Sequence, residues 1–388
     1  MPPDDRLPVP TPVPANAVRL LRARSEPDGF VPFDRYMDVA LYGAEVGYYA
    51  RDRSPFGPRG DFYTAPQVHP VFARTLAARI AQVRAELGPE RPFRVVDLGA
   101  GDGTLLAGIV RALGERGAVA GVEAVVTDRS PARRSAAAEA VSRVAPHVGV
   151  SVRSVGSVAE LGPVCGVVLA NELLDAQPVR RIAWDGSGWR ELGFRLEGDR
   201  LLAAERPLHV PVPRPPLPSL GEDDAGTVLE VSPAAEAIVR EVADHLAEGL
   251  LLVLDYGDEE TALLRGHPRG TVAAVRAHLS VALPDAAPGE ADLSAFVNFT
   301  RVRRAAASAG LVELAYRSQP MALASWGFPG ELEHALEGCG TDEERVRLHL
   351  AAKNLLFGFG TFRVLELAAA ASAERLRRLS EASSTGPS

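Results

Sequence analysis

Five short runs of Val, Ile and Leu, apolar at almost every position, recur along the middle of the chain: FRVVDLG (93–99), EAVVTD (123–128), VGVSVRSV (148–155), GVVLAN (166–171) and GLLLVLDYG (249–257). A strand without a polar face has to be covered on both sides, and the stretches between these runs carry helical periodicity. Buried strands joined by helical crossovers make a parallel sheet, so the pattern predicts an α/β fold of the doubly wound, mostly parallel kind. Residues 179–230 break the rhythm. VRRIAWD, GWRELGFRLEG and DRLLAAERP read as antiparallel strands joined by glycine turns, and the proline-dense VPVPRPPLPS follows them. This predicts an inserted β-rich flap.

Ahead of the first run, 67–87 carries Val68, Val71, Phe72, Leu76, Ile80, Val83 and Leu87. Those spacings are mostly three and four, which gives a helix with one apolar face. Further helices are expected at 298–310 and 342–356. The division expected is a proline-rich disordered tail over 1–15, an N-terminal helical segment capping the substrate over 16–90, and a core formed by 91–178 and 226–370. The flap covers 179–225, and 380–388 is a polar, disordered tail.

The segment Val95-Val96-Asp97-Leu98-Gly99-Ala100-Gly101-Asp102-Gly103-Thr104-Leu105 narrows the chemistry. A buried strand runs into alternate glycines and then into a helix. Glycines let the chain turn sharply and admit a ligand close to the backbone, and the helix start offers free N–H groups. A dinucleotide fingerprint would be G-x-G-x-x-G, whereas here position 104 is threonine and the spacing is G-x-G-x-G. With Asp97 at the strand end, the loop suits S-adenosylmethionine, whose sulfonium and ammonium cations are favoured by nearby carboxylates. Asp128 closes the next strand, where a carboxylate can accept ribose hydroxyls. Asn171-Glu172-Leu173-Leu174-Asp175 follows the fourth strand at the carboxyl edge of the sheet, where an acceptor approaches a bound cofactor. Asp255-Tyr256-Gly257 ends the fifth strand, either lining the site or closing an ordinary turn.

Other classes are disfavoured. The 388 residues carry 42 basic and 50 acidic side chains for a net charge of −8, which argues against a nucleic-acid partner held by bulk positive charge;. Just one of the basic residues is lysine, Lys353. Cys165 and Cys339 make neither a disulfide framework nor a zinc site, and His69, His278 and His349 are isolated, so no metal is expected;. No secretory leader pattern and no run of 18 apolar residues occurs, so the expectation is a soluble, cytoplasmic protein without a membrane partner.

At these residues the chain resembles the MidA-like S-adenosylmethionine-dependent methyltransferases, whose eukaryotic members are the mitochondrial complex I assembly arginine methyltransferases. The matching pieces are GDFYTAP (60–66), VVDLGAGDGTL (95–105), ANELLDAQPV (170–179), LVLDYG (252–257), GTV (270–272), His278 and DLSAFVNF (292–299). The resemblance implies a class I, Rossmann-like methyltransferase core with S-adenosyl-L-methionine as cofactor and a protein arginine as acceptor. It places Gly99, Ala100, Gly101 and Gly103 in the cofactor loop and Asp128 near the ribose. Thr64, Ala65 and Pro66 would close over the site, with Asn171 and Glu172 beside the transferred methyl. Gln67 stands where the family commonly has an acid, and Phe296 and Asn298 replace its usual His and Asp, so the departures fall on the acceptor side.

Arginine is protonated below about pH 12, so methylating it needs carboxylates that grip the guanidinium and assist proton loss. Glu172 and Asp175 are the acids best placed in sequence, with Asp61 a third. The alternatives are methylation of a small molecule by the same fold, and a non-catalytic assembly factor that binds S-adenosylmethionine. A nicotinamide dehydrogenase is disfavoured by Thr104.

Overall fold

The computed structural model describes residues 13–50, 70–89, 91–208, 220–276, 279–281, 287–358 and 360–382. Thr64, Ala65, Pro66, Gln67, Asp61, His69 and His278 lie outside them, as do residues 1–12 and 383–388 of the two expected tails. Among the described residues sixteen strands follow in chain order: β1 (Phe30–Pro32), β2 (Phe93–Leu98), β3 (Val122–Thr127), β4 (Ser151–Val155), β5 (Val164–Asn171), β6 (Arg180–Trp184), β7 (Trp189–Glu197) and β8 (Arg200–Pro207), then β9 (Val228–Val231), β10 (Leu246–Asp258), β11 (Ala273–Arg276), β12 (Leu279–Val281), β13 (Asp292–Ser294), β14 (Val297–Asn298), β15 (Leu311–Ser318) and β16 (Phe362–Ala369). The chain divides into two compact units, one made of Met1–Phe62, Asp175–Ala235 and Asp258–Arg301, the other of Tyr63–Leu174, Glu236–Gly257 and Val302–Ser388.

The second unit holds the large sheet, ordered β15-β16-β10-β5-β2-β3-β4. The strands from β10 through β4 are parallel to one another, while β16 runs antiparallel to both β10 and β15. Each of the five apolar runs is one of the parallel strands. Four of them, β2, β3, β5 and β10, are buried at nearly every position, and Val95, Val126, Leu169 and Leu252 share a core with Phe72, Ile80 and Ile109 from the helices. The fifth, β4, lies at the sheet edge, and of its residues just Val155 is buried. Strand order reverses between β2 and β5. In such a sheet the crevice outside the carboxyl ends of those two strands is where ligands bind.

The first unit is built on a smaller sheet ordered β1-β7-β6-β9, with β8 paired to β7. The three strands expected in the flap form as antiparallel neighbours, with Ile182 opposite Glu191 and Leu192 opposite Glu205. Helices Ala15–Arg24 and Phe33–Tyr42 pack here through Leu21, Phe33, Met37 and Leu41, with Phe194 from β7. A three-stranded sheet ordered β12-β11-β13 belongs to the same unit.

The expected division differs at two places. Helix Pro70–Leu87 falls in the second unit, not with the N-terminal segment, because its buried face, including Val71, Leu76 and Val83, packs into the large core beside helix Thr104–Glu115. Residues 226–235 and 258–301, expected in the core, fall in the first unit. There β9 pairs with β6, and the Glu230 carboxylate accepts from the Thr271 and Val272 N–H groups at 2.7 and 3.2 Å. No helix among the described residues is long and apolar enough to cross a membrane.

Candidate active site

Strand β2 ends at Leu98, and the next residues turn through three left-handed glycines: Gly99 at φ 69°, Gly101 at 58° and Gly103 at 77°. That backbone region is costly for residues with a Cβ, which is why the loop alternates glycine. Space is a second reason. A Cβ on Gly103 would lie 2.7 Å from the Cα and carbonyl oxygen of Ala137, and one on Gly99 would lie 2.8 Å from Leu173 Cδ1. The turn is held by Ala100 N–H donating to the Thr127 carbonyl at 2.9 Å and Gly103 N–H donating to the Ala100 carbonyl at 2.8 Å. Helix Thr104–Glu115 then starts, its Thr104 N–H donating to Asp102 Oδ1 at 2.9 Å.

Three carboxylates gather at this corner. Asp97 is 3% exposed at the end of β2, and burial followed by the charges of Asp128 and Asp102 pushes its pKa from 3.8 up to about 7. Burial also raises Asp128, against the N–H groups of Ser130 and Gly101 and the charges of Arg133 and Arg134. The Ser130 N–H reaches Asp128 Oδ1 at 2.8 Å. Arg133 and Arg134 act on Asp128, but the charges that act on Asp97 are both negative, so this carboxyl is short of positive charge;. A ligand carrying cations supplies it.

The loop after β5 forms the facing wall. Asn171 ends the strand and donates from Nδ2 to Glu172 Oε1 at 3.4 Å, while its buried Oδ1 has no hydrogen-bond partner among the described residues. Glu172 sits at φ 49°, a left-handed conformation that a glutamate rarely takes;. Such strain persists where surrounding bonds over-determine it. Here the Glu172 N–H donates to the Leu254 carbonyl at 2.9 Å, and the next two N–H groups, of Leu173 and Leu174, converge on Asp255 Oδ2 at 3.2 and 2.9 Å. Asp255 is fully buried, and its other oxygen accepts from the Tyr256 N–H at 3.0 Å. Of the two sequence readings of this aspartate, neither named its task. It is the anchor of the loop that presents Asn171 and Glu172.

The structure thus brings Asp97, Gly99, Ala100, Gly101, Gly103, Asp128, Asn171 and Glu172 into one unit, on the neighbouring ends of β2, β3 and β5. Asp175 belongs to the other unit, where it opens the segment Asp175–Ala235; it is 8% exposed, with its carbonyl accepting from the Ala295 N–H at 3.0 Å. Phe296 and Asn298 belong to that unit too, where they line a cavity with Glu230, His267 and Thr271. Asn298 Nδ2 donates to the buried Glu260 at 2.9 Å, a bond that an aspartate at this position could not donate;. The residues at the β2 corner fit S-adenosylmethionine in three respects: a backbone cradle of left-handed glycines, a cluster of carboxylates for its cations, and a buried amide oxygen awaiting a donor.

The profile of a family of S-adenosyl-L-methionine-dependent methyltransferases matches residues 75–317. A Burkholderia thailandensis protein crystallised with S-adenosyl-homocysteine is 31% identical, with a TM-score of 0.79 covering 94% of this chain and 95% of that one. Among curated proteins, the mitochondrial protein arginine methyltransferase NDUFAF7 of Mus musculus is 26% identical over 361 residues, 85% of this chain and 78% of its own. The Drosophila melanogaster homolog is 27% identical over 321 residues, 75% and 70% of the two chains. With the strand order, the glycine corner and a match over more than half its length, the chain belongs to this MidA-like family of S-adenosyl-L-methionine-dependent methyltransferases.

Proposed function

We propose that the chain methylates an arginine side chain of a protein. The observation that carries this reading is Glu172: a carboxylate held on strained backbone at the carboxyl edge of β5, on the strand next to the one that opens the cofactor loop. When bound, S-adenosylmethionine supplies a methyl group on a sulfonium, ready for in-line displacement. The protein's task is then positioning and proton management. The glycine loop and Asp128 hold the nucleoside end, and Asp97 and Asp102 face its cations. Glu172 accepts N–H bonds from the guanidinium, aligning one nitrogen, and takes up the proton which that nitrogen sheds as its new bond to carbon forms. Asn171 Oδ1 offers a further acceptor to the same group. Asp255 keeps both in place without touching the acceptor. The names of the curated relatives support the acceptor class.

Mass spectrometry of arginine methylation in the host proteome, with and without this chain, tests the reading. Loss of specific methylarginine sites on deletion, restored by the wild type but not by Glu172→Gln, is the expected result. The phenylalanine and asparagine at 296 and 298 favour a second reading, a small-molecule acceptor, because they alter polar positions usual to the family. Transfer of labelled methyl into soluble metabolites, with no macromolecular label, would select that one.

A further inference from the structure

Large apolar side chains left in water mark interfaces when they gather on one face. In the cofactor-binding unit Met321 is 64% exposed, Val346 57%, Leu350 61% and Phe357 75%. Val346 and Leu350 lie one turn apart on helix Asp342–Lys353, and Phe357 follows in the wider turn Asn354–Gly358;. Helix Gln319–Ser325, which carries Met321, packs against that turn. The long helix already buries its other face through Leu348, Ala351 and Ala352. It therefore has two apolar faces, one of them covered.

The outward face also carries a charge gradient. At 100° per residue, Glu343, Val346, Leu350 and Lys353 fall within an arc of about 80°. The acid stands at the N-terminal end, the aliphatic pair in the middle and the cation at the C-terminal end. Lys353 is the sole lysine of the chain, and neither it nor Glu343 has an ion-pair partner among the described residues. Read backwards, the same face is its own complement. Val346 meets Leu350, and Glu343 meets Lys353.

We propose that this face pairs with the same face of a second copy, helix antiparallel to helix, about a two-fold axis level with Leu348. The contact is isologous: each residue pair occurs twice, and the apolar centre is flanked by two Glu343–Lys353 pairs. The antiparallel arrangement also sets each helix N-terminus beside the partner's C-terminus, which their dipoles favour.

Lys353 gives the proposal a sharp test, because the N-terminal amine is its only competitor for amine chemistry. Zero-length carbodiimide coupling of the full-length protein is expected to yield a dimer band containing a Glu343–Lys353 isopeptide. Within one helix those residues are ten apart, about 15 Å, so the coupled peptide arises between copies. Sedimentation is expected to show a concentration-dependent dimer that Leu350→Glu dissociates while S-adenosylhomocysteine binding persists. Glu343→Lys or Lys353→Glu alone should weaken the dimer about tenfold, since each turns two attractive pairs repulsive. The double exchange should restore it. Monomer at every concentration overturns the proposal, as does a dimer indifferent to Leu350→Glu or to the charge exchange.

Discussion

Replacing Asp97 with asparagine separates what that carboxylate does for the cofactor from what it costs the fold. In the ligand-free protein the group sits at about 7, raised from 3.8 by burial and by the charges of Asp128 and Asp102. A cation bound at this corner favours the ionised form, so binding expels whatever proton Asp97 still holds. With the bound-state value driven back toward the ordinary carboxylate range, the apparent Kd is nearly flat above about pH 8 and about tenfold weaker at about pH 6. Calorimetry with S-adenosylhomocysteine in buffers of different ionisation enthalpy measures both the affinity and the proton count, expected to be near one half at about pH 7. In Asp97→Asn the binding is weaker throughout and the pH dependence from this group disappears. The same raised pKa predicts the opposite effect on stability. Between about pH 4 and about pH 7 the native state binds a proton that the unfolded chain has released, so ligand-free stability falls as pH rises through that window. The asparagine variant is therefore expected to melt higher than wild type at about pH 8 while binding the cofactor less well. A wild-type affinity independent of pH from 6 to 8, or an asparagine variant that melts lower, would refute the argument.

Gly103→Ala forces a Cβ to within 2.7 Å of Ala137 backbone at a left-handed φ, so it should lower the melting temperature and abolish cofactor binding together, as read by thermal shift with and without ligand. Asp255→Ala strips two loop N–H groups of their acceptor, each worth about 1–3 kcal/mol when buried, and should cut the transfer rate far more than cofactor affinity;. Equal losses in both would contradict a positioning role. Arg79→Met leaves Glu366, fully buried in β16, without its main counter-ion and should cost about 3–5 kcal/mol in urea unfolding;. Adding Glu366→Leu should recover most of that loss, and failure to do so would show that packing, not charge, is responsible.

The central parallel strands were readable because they are apolar on both faces, a pattern that does not depend on knowing the neighbours; β4, SVRSV at the sheet edge, is half-exposed. Strands β15 and β16 went unread for the opposite reason. LVELAYRS has mostly half-buried positions, and FRVLELAA carries Glu366 in its middle. That glutamate is tolerated because Arg79, from a helix 287 positions earlier, reaches it, with Arg317 and the Trp326 indole N–H on its other oxygen. Likewise the flap strands were marked by their glycine turns, but their partners β1 and β9 are short and come from distant segments. At the site, glycine spacing announced the cofactor loop, since only glycine takes three left-handed positions cheaply. Nothing in the tripeptide Asn-Glu-Leu announces a left-handed glutamate. That conformation is imposed by Leu254 and Asp255 on the adjacent strand, and pairing between strands 80 residues apart is not a local property.

The features that resist a comfortable fold lie together. Asp97 is a carboxyl buried beside other carboxylates, Glu172 is left-handed, and Asn171 keeps a buried oxygen without a donor. Each is unfavourable in the ligand-free chain, and all three stand at the carboxyl ends of β2 and β5. The strand bodies beneath them are mostly apolar and regularly paired, with Val95 opposite Val167 and Leu252 opposite Leu169. Local costs of this kind persist when a bound partner offsets them. A cation beside Asp97 removes the charge penalty, and a donor to Asn171 satisfies the orphaned oxygen. Under the proposed function, a guanidinium against Glu172 would turn the strained backbone into a way of aiming a carboxylate. The groups that are unfavourable without a ligand and the groups proposed to bind it are then the same atoms, so Asp97→Asn is expected to gain stability and lose cofactor affinity together.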